Sequence, residues 1–199
     1  MIGIISAFGA AISWTYACFI WRSQTKKYKS LDINLLKNII AFLLFLPALI
    51  SFNFSTELKY ILILLLSGIV GIGLGDTFYI KSLQVIGTRK TLSIETLSPL
   101  IAALTGEVFI NENLKIQSWI GIAIISISLF IILRKKTDFI DKNSAYIEKN
   151  NLSLYKYPFL SVFCAVLGGL FSRIVFLETN LSPFHTTEIR LLGAIIFLK

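Results

Sequence analysis

The sequence predicts an all-α polytopic membrane helix bundle, and three observations predict it. Apolar runs of membrane-spanning length follow one another along the 199 residues. By composition 55% of the chain is apolar, with a mean hydropathy of +0.77. The basic residues collect between the runs rather than within them. A helix needs about 20 mostly apolar residues to cross a hydrocarbon core about 30 Å thick. Inside that core every backbone polar group must be bonded within its own element, so the runs are read as helices.

The elements follow in order. The first run, Ile2 to Trp21, has no basic segment before it and is too long for a cleavable leader, so it is expected to remain as a helix. Asn34 to Phe52 is the second run and Tyr60 to Ile80 the third. Gly68, Gly71, Gly73 and Gly75 make the third helix thin, and the Gly71/Gly75 pair predicts close helix packing. Thr91 to Ile110, with Pro99 near its middle, is the fourth, and Leu114 to Leu133 the fifth. Residues 134–156 are rich in Lys, Asn, Ser and Asp and read as a linker. Tyr157 to Leu177 is the sixth run; a seventh opens at Thr187 and is still running at Lys199, far short of a full span. The chain is therefore expected to continue, through a completed seventh helix and three more.

Composition excludes several classes. The net charge of +8 does not form a basic, aromatic-interleaved surface, so no nucleic-acid partner is expected. The lysines flank apolar runs, where they meet anionic lipid. Cys18 and Cys164 fall inside runs and read as buried free thiols, and the lone His185 gives no zinc spacing. No metal and no cofactor is expected.

Because the loops alternate sides, the charges can be sorted by side. One side collects 14 basic residues, Lys37 and the linker's among them, and the other only Lys59 and Lys115. The positive-inside rule then puts the linker in the cytoplasm and the N-terminus outside.

The chain also resembles itself. Ile5 to Ala10 aligns with Leu160 to Ala165, Tyr16 with Phe171, Leu36-Lys37 with Ile189-Arg190 and Ala41 with Ala194. This predicts one complete five-helix repeat over residues 1–133, the linker at 134–156, and the start of a second repeat at 157–199. That is about seven helices of an expected ten. An odd number of helices per unit forces the second copy to be inverted, the arrangement of secondary transporters.

Gly75-Asp76-Thr77-Phe78-Tyr79 through Gly87 is followed by Leu97-Ser98-Pro99-Leu100, Gly106-Glu107 and Trp119-Ile120-Gly121. With Trp14 in the first helix and Ser182-Pro183 leading to Arg190, this order resembles the EamA-type domain of the drug/metabolite transporter superfamily. Thr15, Lys37 and Ser128 stand where that pattern has Gly, Arg and Gly. The resemblance implies ten helices with both termini cytoplasmic, which opposes the charge count and leaves orientation open. It implies a multi-pass protein of the plasma or inner membrane, with a small-molecule substrate and the lipid bilayer as partners. Proton or other ion coupling and a homodimer stay open.

An ionisable residue within a spanning helix costs at least about 2.5 kcal/mol, so each needs a reason. Glu95 shares a helical face with Thr91, Ser98, Ala102 and Thr105, and Pro99 removes the amide that would bond its carbonyl. A carboxylate there suits a cation, a proton or a polar solute; the alternative is a solvated helix end next to Arg89-Lys90. Asp76, about one turn inside Lys81, reads as a loop-side ion pair or a helix-end residue, and Glu107 and Glu112 as interfacial charges. Arg173 is too deep for snorkelling and calls for a carboxylate across the bundle. Trp14 is either core or an aromatic wall. The expected substrate-binding set is Trp14, Thr91, Glu95, Ser98 and Arg173.

The function expected is secondary transport of small organic metabolites, amino-acid-like or amphipathic, by alternating access between inverted repeats. No nucleotide-binding motif points to ATP, and no enzyme activity is expected. Two alternatives differ in class: an integral-membrane enzyme on lipid-linked substrates, resting on Ser182 to Arg190 with His185 and Glu188, and a structural membrane subunit. The polar stripe around Glu95 opposes the second.

Overall fold

A computed structural model describes residues 2–47, 57–110, 115–134 and 152–199. Most of the basic linker, 135–151, and Glu112 lie outside the described residues. The rest is helical: α1 (Ile2–Gln24), α2 (Ser30–Phe45), α3 (Leu58–Val85), α4 (Thr88–Ile110), α5 (Ile116–Arg134), α6 (Lys156–Glu178) and α7 (Pro183–Leu198). Among the described residues the helical stretches Leu58–Val85, Thr88–Ile110 and Ser153–Glu178 are long and apolar enough to cross a membrane. The chain is an all-α membrane bundle.

Its outer surface is apolar. On α1 the side chains of Phe8, Ile12, Tyr16 and Phe19 are exposed, as are Ile116, Ile120, Ile124 and Ile127 on α5. A water-soluble bundle would turn such faces inward; here hydrocarbon is the solvent they fit.

The centre of the bundle is α3, which packs on both α6 and α7. Its middle, Gly68–Gly75, is wound as a π-helix. Four glycines in eight residues explain this, because glycine stabilises α winding least and leaves the backbone open to neighbours. The neighbours come in close. A methyl group on Gly68 would lie 1.9 Å from the Arg190 carbonyl oxygen, and one on Gly168 would lie 2.6 Å from the Gly71 Cα. The close packing expected from Gly71 and Gly75 is therefore present, and α6 answers it with a glycine of its own.

A π stretch leaves carbonyls without their regular partners where it returns to α winding. Asn34 of α2 supplies them: its Nδ2 donates to the carbonyls of Ile72 at 2.9 Å and Gly73 at 3.1 Å, and to Thr77 Oγ1 at 3.0 Å. Asn38, one turn on, donates to Asn34 Oδ1 at 3.1 Å and holds the amide in that orientation. Ser67 ties α3 to α6 by donating to the Gly168 carbonyl at 2.7 Å.

Gly87, at φ +87°, turns the chain from α3 into α4. Only glycine adopts that region freely, and a side chain there would meet the Arg22 guanidinium 2.5 Å away. Arg22 in turn donates to the Leu83 carbonyl at 2.9 Å, placing a cation on the last turn of α3, where the helix dipole favours it.

Candidate functional site

A cavity of about 1000 Å³ lies among α1, α2, the π segment of α3, α6 and α7. Each wall follows from the local fold. α1 turns its small side chains Ala10, Ser13 and Ala17 toward the space, with Trp14 and Trp21 framing them. The two indoles meet edge to face at 5.3 Å between centroids, and Tyr79 of α3 stacks behind both, at 5.5 and 6.4 Å. This is a rigid aromatic wall.

The opposite side is charged. Lys37 of α2 forms an ion pair with Asp76, the first residue after the π segment, and its Nζ sits 5.3 Å from the Trp21 ring centroid. Arg190 of α7 reaches the cavity beside Gly71, its Nη2 3.4 Å from where a Cβ at that glycine would lie. Asn38 completes the polar set. Its Oδ1 and the Nε of Arg190 are buried and have no hydrogen-bond partner among the described residues. A cavity of this kind, mostly apolar with a few convergent polar groups, is suited to a small organic solute. The described residues hold no His, Cys, Asp and Glu cluster suited to a metal.

The five residues expected at the site divide among three places. Trp14 lines the cavity. Glu95 stands next to it, its carboxylate interacting with the Tyr79 hydroxyl and the Trp14 indole N–H. Ser98 and Arg173 come together elsewhere, in a second cavity of about 620 Å³ between α4, α5 and α6. Thr91 is buried against α3, accepting a hydrogen bond from Ser82 Oγ at 2.9 Å.

The continuous stripe expected on the fourth helix is corrected here. The chain makes a turn at Thr96–Leu97 and restarts its helix at Ser98, with Pro99 in the first turn, where no amide is needed. The break rotates Ser98 and Thr105 away from Glu95, so they face the second cavity. Asp76 is also corrected. Its partner is Lys37 rather than Lys81, which donates to Gln84 at 2.8 Å. That pairing takes Lys37 out of the loop charges and into the bundle. Glu178 accepts a hydrogen bond from Tyr60 at 2.8 Å. Cys18 and Cys164 are free and buried, as expected.

Lys37, Asn38, Asp76 and Arg190 were therefore the cavity residues that sequence reasoning left out. A signal for two of them existed: the internal repeat aligns Lys37 with Arg190, and the structure puts both on one cavity. Asn34 and Asn38 carried a second signal, as two amides one helical turn apart inside an apolar run.

A model of the EamA-like transporter family matches residues 1–134 of the chain. An uncharacterized transporter of Archaeoglobus fulgidus is 24% identical over 201 residues, spanning all of this chain and 68% of its own length. No solved structure matches the chain.

Proposed function

Because the chain belongs to the EamA-like transporter family, we propose that it is a secondary transporter of small organic metabolites, amino-acid-like or amphipathic, working by alternating access. The observation that carries this reading is the cavity itself, in which an aromatic wall faces Lys37, Asp76 and Arg190 inside a bundle with an apolar exterior. Charged side chains within a membrane bundle are costly, and they are found where a solute or ion passes. Residues 1–133 form the first five-helix unit in this proposal, 134–156 the linker and 157–199 the opening of an inverted second unit. The cavity then lies where the two units meet, with Lys37 and Arg190 as corresponding residues. The protein would sit in the plasma or inner membrane.

The π segment fits a moving part. A helix held in π winding by side-chain bonds from α2 has a second, α-wound arrangement available, and exchange between the two would shift Asp76 relative to Lys37. Ser182, in the loop on which the enzyme alternative rests, caps α7 by accepting the His185 amide at 3.3 Å.

The test is flux. Liposomes carrying the full-length protein, loaded with a metabolite extract and free of ATP, are expected to release a subset of solutes faster than empty liposomes, as read by mass spectrometry. Release no faster than from empty liposomes would reject the proposal.

A further inference from the structure

We infer that the transported solute carries a carboxylate and that Arg190 is the residue that binds it, an assignment that rests on the transporter reading above. The cavity wall holds two cations, Lys37 and Arg190, and one carboxylate, Asp76, which is already paired with Lys37. Among the described residues Arg190 thus feels the field of Asp76 but forms no ion pair of its own. Its Nε is buried and has no hydrogen-bond partner among the described residues. Glu95 lies beyond Trp14 and interacts with the Tyr79 hydroxyl and the Trp14 indole instead.

A guanidinium in a membrane bundle without an ion-pair partner of its own is an expensive arrangement, and it becomes favourable when a ligand supplies one. Its geometry selects the ligand. Arg190 Nη2 lies 3.4 Å from where a Cβ at Gly71 would sit, so the planar group rests against the bare backbone of the π segment. A planar fork of donors matches the two oxygens of a carboxylate. Asn38 Oδ1, the other unpartnered group at the cavity, is an acceptor and suits an O–H or N–H borne next to that carboxylate. The apolar part of the solute would lie along Trp14 and Trp21.

Trp14 and Trp21 also report on the site, since they line it and Trp119 on α5 is the third tryptophan of the chain. The full-length protein, with Trp14 and Trp21 kept and every other tryptophan replaced by Phe, in lipid nanodiscs, is titrated with two matched pairs, phenylacetate against phenylacetamide and hexanoate against hexanamide. Tryptophan fluorescence should show the acids binding at least about tenfold tighter than the amides, as charge-assisted hydrogen bonds exceed neutral ones. Arg190→Gln should abolish the difference. Arg190→Lys keeps the charge, guards against a folding defect and should retain a smaller preference. Equal binding of acid and amide, binding of neither, or a preference that survives in Arg190→Gln would overturn the assignment. Liposome flux separates this from the reading beneath it: solute release without acid preference removes the carboxylate assignment alone, and acid preference without any release removes transport alone.

Discussion

Lys37 and Asp76 form an ion pair between α2 and α3, each side chain 20% exposed, at the edge of the central cavity. A pair this sheltered punishes the loss of one member more than the loss of both, because a single substitution strands a charge. Lys37→Met or Asp76→Leu alone is expected to cost on the order of 3 kcal/mol, and the double substitution less than either. Thermal melts of the purified proteins in one detergent read this directly. Additive losses would mean that the two residues act independently.

Asn34 holds the π segment through two backbone carbonyls and Thr77. Asn34→Leu is close in volume but takes the side-chain donor from the Ile72 carbonyl, at about 1–3 kcal/mol for a buried group, while the Gly73 carbonyl keeps its bond from Thr77 Oγ1. The loss should be local before it is global. Hydrogen exchange over residues 68–77 is expected to quicken, while exchange over α5, which lies away from this contact, stays as it was. Unchanged exchange at the π segment would show that Asn34 does not restrain it.

The glycines of the α3 contacts make a ranked set. Gly68→Ala and Gly193→Ala each drive a methyl group into backbone, at 1.9 Å from the Arg190 carbonyl and 2.4 Å from the Leu65 carbonyl. Each should destabilise by about 1–3 kcal/mol or more, since backbone cannot yield as a side chain can. Gly169→Ala meets nothing within 4 Å, and should be neutral or stabilising by up to about 1 kcal/mol, because alanine favours the helix. Melting temperatures in that order are the expected result. A Gly68→Ala protein as stable as the parent would contradict the packing described.

The helices were legible in the sequence because bilayer thickness fixes how long an apolar run must be, and no tertiary detail enters that argument. The close packing of α3 was legible for a similar reason: only glycine permits it, and Gly71 and Gly75 sit one turn apart. Charge partners were not legible. Asp76 was assigned to Lys81 by nearness in the chain, yet the pair that forms, Lys37–Asp76, spans two helices and depends on their rotation. The stripe from Thr91 to Thr105 failed for a related reason. A helical face can be projected only while the helix is unbroken, and the turn at Thr96–Leu97 re-aims all that follows. Pro99 was read as removing an amide from the middle of one helix, whereas it sits in the first turn of a helix that restarts.

Glu95 carries the remaining prediction. Its carboxylate stands beside the Tyr79 hydroxyl and the indole of Trp14, and Trp14 is part of the cavity wall. A group in that position can gain or lose a proton as the solute comes and goes, and so tie solute movement to a proton gradient. Glu95→Gln keeps the shape and one acceptor oxygen but removes the titration, so insertion and melting temperature should stay near those of the parent. The transport modes should then separate. Solute accumulation driven by a pH gradient across liposomes should be lost, while exchange of labelled for unlabelled solute at equal pH should persist, because exchange needs no net proton movement. Tyr79→Phe, which removes the hydroxyl and leaves the ring, should shift the pH dependence of accumulation without abolishing it. If Glu95→Gln still accumulates solute against the gradient like the parent, Glu95 serves only to position Trp14.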